Sequence, residues 1–225
     1  MGSYVKHAQT TIPSHFGDIM SQRETSLRLP DDFGGLERML LTANGNLQRL
    51  LSAYFNAPIS VNVLYNKVMS EPNTYGPDQT CILRGYLREV NLCINGIKGQ
   101  PSRTVCNAKS AVYITDPAVL RLVEEEGVGI GQIFRYLDRL PNFELFSIGR
   151  SAPKEGKKDY TFWRLYKLSC PGVDCFINER FAPGFLEPGW IEQADADIAL
   201  DHTHDKVWQF ADAMGHDFLS FCTRL

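Results

Sequence analysis

Between residues 42 and 58, Leu47, Leu50, Leu51, Tyr54 and Phe55 recur three and four apart, the spacing of one helix face. Asn44 or Asn46 can cap the start of this helix, and Pro58 stops it. The period then changes from 3.6 to two. Ile59, Val61 and Val63 alternate with Ser60 and Asn62, and strand-like runs follow at 82–94, 103–114, 160–169 and 173–181. Helical patterns return near 117–126 and 129–140, the second with Ile130, Ile133, Phe134 and Leu137 on one face. Strands joined by short Gly- and Pro-containing links favour antiparallel pairing. Helices before and within such a series predict one α+β domain, an antiparallel sheet with helices packed on it.

The flanks differ from this middle. Residues 1–34 are polar and turn-rich, which predicts an arm lying on a domain that occupies 35–225. The stretch GRSAPKEGKKD (149–159) is charged and poor in apolar residues, so a mobile hairpin connection is expected there. From about 184 a C-terminal extension begins. Its Val207, Phe210, Ala211, Met214 and Phe218 form an amphipathic helical stripe that should dock on the core, with Asp205 as a cap.

Charges interrupt several of the apolar stripes. In YLREVNLCI (86–94), strand alternation puts Arg88 on one face with Tyr86, Val90, Leu92 and Ile94. In VDCFINERFAP, Glu179 shares a face with Val173, Cys175, Ile177 and Phe181. An unpaired buried charge is costly, so each needs a partner or a ligand. Two readings stay open: Arg88 and Glu179 pair with each other as a structural ion pair, or Arg88 holds a ligand carboxylate while a desolvated Glu179 supplies a proton. Lys109, on the alternation of Val105, Asn107, Ala111 and Tyr113, and Arg164, with Phe162, Tyr166 and Leu168, repeat the pattern. If either faces the same cavity, the cavity is cationic and suits an anionic, partly apolar molecule; otherwise each is an exposed edge residue.

Composition narrows the classes. With 225 residues, 44% of them hydrophobic, the chain can bury a full core. A net charge of -3, from 23 basic and 26 acidic residues without a long block of one sign, argues against a nucleic-acid surface. Six cysteines without a CxxC pair suggest neither a zinc site nor a redox dithiol, and no signal-peptide core or membrane span is evident, so a reducing cytosol is the expected location. GVGIG (127–131) follows an acidic run rather than a buried strand, so it reads as a helix start and not a dinucleotide loop. DHTHD (201–205) reads as a polar helix cap before a metal site. No GxSxG element occurs.

Four blocks, LLTANGNLQRLL (40–51), YLREVNLCING (86–96), GVGIGQIFR (127–135) and WRLYKLSCPGVDCFINERFAP (163–183), resemble the chorismate pyruvate-lyase family in order and spacing. The resemblance implies a single α+β domain, an antiparallel sheet with helices packed on it and the ligand enclosed beneath flaps, with no metal and no cofactor. It implies that Arg88 binds a ligand carboxylate, that Glu179 acts as an acid on the enolpyruvyl ether, and that chorismate is cleaved to 4-hydroxybenzoate and pyruvate. Tyr86, Lys109 and Arg164 join Arg88 as expected substrate contacts. Ala108-Lys109-Ser110 stands where a branch of the family has Ala-Glu-Ser, a charge reversal by which Lys109 either adds a second carboxylate contact or marks recruitment to another reaction on a different anionic or polyunsaturated substrate. A cyclase or isomerase of specialised metabolism using the same pocket is the second reading, and a non-catalytic ligand-binding module the third. The third lacks a helix-turn-helix segment to serve.

Overall fold

A computed structural model describes residues 9–11, 19–20, 25–26, 28–45, 47–69, 82–95, 102–128, 132–151 and 161–192. Six long strands form an open antiparallel sheet: β4 (Ile59–Val68), β5 (Arg84–Ile94), β6 (Arg103–Ile114), β7 (Asn142–Ser151), β8 (Thr161–Cys170) and β9 (Val173–Phe181). A short strand β1 (Gln9–Thr11), from the predicted arm, adds to the β7 edge, and β2 (Ile19–Met20) pairs with β3 (Thr25–Ser26) apart from the main sheet. The order across the main sheet is β1-β7-β8-β9-β6-β5-β4. Among the described residues, four helices accompany the sheet: α1 (Gly35–Leu41), α2 (Leu47–Phe55), α3 (Pro117–Glu124) and α4 (Ile133–Tyr136).

One face of the sheet carries the helices. Leu41 from α1 and Leu47 and Leu51 from α2 pack with Leu92, Cys106, Ile148, Phe162 and Phe181. Phe162 and Phe181 stack with ring centroids 4.3 Å apart, and Phe185 stacks on Phe181 at 5.6 Å. Towards the other end of the strands, Val119 of α3 and Ile133 and Phe134 of α4 pack with Tyr86, Val112, Tyr166, Leu168 and Cys175. The same face therefore bears two apolar clusters, one under each helix pair.

Local chemistry explains the element ends. Asp116 caps α3 by accepting the Ala118 N–H at 2.7 Å, and Pro117 follows at the first helical position, where its missing N–H costs nothing. Gly172 turns β8 into β9 with φ +97°, and a Cβ there would come within 2.5 Å of Asp116 Cβ. In α1, Glu37 reaches back to accept the Gly34 N–H at 2.6 Å.

The differences from the sequence reading are specific. Strand β7 and helix α1 are not evident from alternation alone. In β7 a bulge between Leu145 and Ser147 inserts Phe146 and breaks the period of two. In α1, Leu36 and Met39 stay exposed while only Leu40 and Leu41 are buried, so no clean apolar face forms. Helix α4 is much shorter than the 129–140 pattern, and Asp138, with φ +49°, follows its end in the left-handed region. The connection at 152–160, most of the GVGIG glycines, the DHTHD segment and the C-terminal amphipathic stripe lie outside the described residues.

Candidate functional site

Register brings three of the four interrupting charges, Arg88, Glu179 and Arg164, into two rows between the apolar clusters. Asn66, Arg88, Ser110, Ile177, Tyr166 and Leu145 stand side by side across β4, β5, β6, β9, β8 and β7. The adjacent row on the same face is Val63, Val90, Ala108, Glu179, Arg164 and Ile148. A polar belt thus crosses the helix-bearing face.

Glu179 pairs with Arg164, not with Arg88. The two sit directly opposite on β9 and β8, and Arg164 Nε donates to Glu179 Oε2 at 2.6 Å. The second oxygen of Glu179 accepts the Tyr166 hydroxyl at 2.9 Å. Arg164 is fully buried and also donates through Nη1 to the carbonyls of Leu41, at 3.1 Å, and Ala43, at 2.8 Å. Its guanidinium lies over the Tyr166 ring at 4.2 Å. Burial by itself lowers the Arg164 guanidinium, but the neighbouring Glu179 outweighs it and holds it above its ordinary value. Burial, and then the Glu179 charge, push the Tyr166 hydroxyl well above its ordinary value. Arg164 is therefore a tie between sheet and α1–α2 connection. Its Nη2 is buried and finds no hydrogen-bond partner among the described residues.

Arg88 is separated from this network. It lies two strands from Glu179 and one row along, which strand spacing converts to about 12 Å between Cα atoms. Burial lowers its guanidinium from the ordinary value, with Cys175 opposing. Among the described residues its side chain forms no hydrogen bond or ion pair. A partly buried cation, without a carboxylate among the described residues, faces Ser110 and Asn66 on the strands beside it.

The remaining expected contacts fall elsewhere. Tyr86 shares the Arg88 face, one row further towards α3, but its hydroxyl donates to Glu124 at 2.9 Å, and Glu124 also meets Arg84 at 3.0 Å. Burial, followed by this hydrogen bond, pushes Tyr86 up to about 12. Lys109 corrects the expectation of a shared cationic cavity: it pairs with Glu89, Ser110 pairs with Arg88, and adjacent positions on one strand face opposite ways. On the far face, Lys109 Nζ lies 4.0 Å from Glu89, whose other oxygen accepts the Asn107 amide at 2.9 Å. Asn107 also donates to Asn91 at 2.9 Å. Tyr166 and Ser110 are belt residues that the sequence reading passed over. Tyr166 was visible on the Arg164 alternation, whereas Ser110 becomes a neighbour of Arg88 only through register.

No group of three or more His, Cys, Asp or Glu among the described residues is arranged to hold a metal. None of the described helices is long and apolar enough to cross a membrane. Compared with known proteins, the chain matches no family model and no curated protein.

Proposed function

We propose that the polar belt binds a small carboxylate-bearing molecule and that the protein is a cofactor-independent carbon–oxygen lyase acting on chorismate or a similar cyclic enolpyruvyl ether. One observation carries this reading: Arg88 is a partly buried cation, desolvated and without a carboxylate among the described residues, on the face that holds Glu179. An anion bound there would supply the missing charge and accept a bidentate hydrogen bond.

The chemistry balances without an added reagent. Glu179, its anion stabilised by Arg164 and Tyr166, takes the ring proton from the hydroxyl-bearing carbon. The C–H electron pair completes the aromatic ring as the bond from ring carbon to enolpyruvyl oxygen breaks. Glu179 then returns the proton to the methylene carbon of the departing fragment, giving 4-hydroxybenzoate and pyruvate. This makes Glu179 the base first, where the resemblance implies an acid acting on the enolpyruvyl ether itself. Arg88 orients the ring carboxylate throughout.

Variants divide the roles. Arg88→Met should raise KM about tenfold to a hundredfold, the worth of a charged hydrogen bond, while Glu179→Gln should abolish turnover. Unchanged kinetics in both would reject the assignment. The full occupation of both Glu179 oxygens favours one second reading, a binding module without catalysis. Such a module would be stabilised thermally by 4-hydroxybenzoate and would turn nothing over.

A further inference from the structure

The helix-bearing face continues past Arg88 onto β4, where the apolar side chains beyond the buried Ile59 are uncovered. Val61, Val63 and Val68 lie opposite Leu92, Val90 and Tyr86, so all three share the face of Arg88. Yet they are 41%, 50% and 54% exposed, whereas Val90 and Leu92 beside them are buried. Asn66, opposite Arg88, is the single polar residue of this face on β4 between Val63 and Val68. Ordinary β-sheet edges carry charge at such positions. Here the lip is apolar except at Asn66, and it begins one strand from a cation without a carboxylate among the described residues.

Resting on the reading of Arg88 as a carboxylate clamp, we infer that the ligand is an amphiphilic carboxylate whose apolar body extends from Arg88 across Val63 to Val61. Charge complementarity commits the head group to Arg88, and register then carries the body over β4. Strand geometry puts Val63 about 8 Å and Val61 about 14 Å from Arg88 between Cα atoms, within reach of one medium-length chain. Chorismate alone would leave this lip bare. The substrate class is therefore a carboxylate, cyclic or open, with an apolar substituent.

Straight-chain carboxylates from butanoate to decanoate probe this directly by calorimetric titration of the full chain. Affinity should rise about two- to fourfold per methylene until the chain passes Val61, as apolar burial requires. Arg88→Met should weaken all members equally, and Val63→Asn should flatten the chain-length dependence without weakening butanoate. Val63 is exposed, so this variant should keep its melting temperature. A flat series in the wild type, or a chain-length dependence indifferent to Val63→Asn, overturns the inference. So does a concentration-dependent dimer that Val63→Asn dissolves, because a second copy would then be the occupant. Chorismate turnover with a flat series removes this inference alone, and a rising series without turnover removes the lyase reading alone.

Discussion

Arg164→Met should be the most damaging single change to the belt. Its guanidinium is fully buried and serves Glu179 at 2.6 Å together with the Leu41 and Ala43 carbonyls. Removing it leaves a carboxylate that is only 5% exposed without its cation, a loss worth about 3 to 5 kcal/mol. The two carbonyls lose donors as well, which places the cost towards the upper end. In a domain of this size that corresponds to a fall in Tm of roughly 6 to 20 °C. Urea unfolding should show the loss as a lower midpoint with an unchanged slope. Adding Glu179→Leu removes the stranded charge, so the double variant should be more stable than the sum of the two single losses predicts, by about 1 to 3 kcal/mol. Amide exchange in the α1–α2 connection should quicken in Arg164→Met, since Leu41 and Ala43 are what Arg164 holds. A single variant within about 1 kcal/mol of wild type, or strict additivity of the pair, would refute the reasoning.

Three further outcomes follow from other parts of the fold. Tyr86 has a folded value of about 12 against an ordinary 10.0, so the unfolded chain loses this proton first, and stability present below pH 10 should fall as pH rises towards 12. Tyr86→Phe should flatten that alkaline slope in a series of denaturant melts. Gly149→Ala should destabilise by about 1 to 3 kcal/mol, because a Cβ there would meet the Trp163 ring at 2.5 Å, and tryptophan fluorescence should report the displaced indole. Lys109→Met should leave the affinity for 4-hydroxybenzoate unchanged, since Lys109 belongs to the far face; a tenfold loss by calorimetry would put it back beside Arg88.

Much of the sheet was legible because β5, β6, β8 and β9 are runs rich in β-branched and aromatic residues bounded by turn signals, each read within two residues of its ends. Strand β7 was not, since Phe146 in its bulge shifts Ile148 out of phase with Leu145. The site divides in the same way. That Arg88 and Glu179 interrupt apolar stripes is a property of each strand alone and needs no fold. Which charges pair is a property of strand order: β6 intervenes between β5 and β9, while β8 lies directly beside β9, so Glu179 meets Arg164 and Arg88 is left without a carboxylate among the described residues. Alternation within β6 already implied that Lys109 and Ser110 face apart, but only the β5 register says which of them joins Arg88.

The central claim, that the belt around Arg88 and Glu179 performs a carbon–oxygen elimination, is tested most directly by incubating the purified protein with chorismate and quantifying both products. The account predicts 4-hydroxybenzoate and pyruvate in equal amounts, formed faster than in buffer and lost in Glu179→Gln. Product at the uncatalysed rate in the wild type, or full activity in Glu179→Gln, would contradict it.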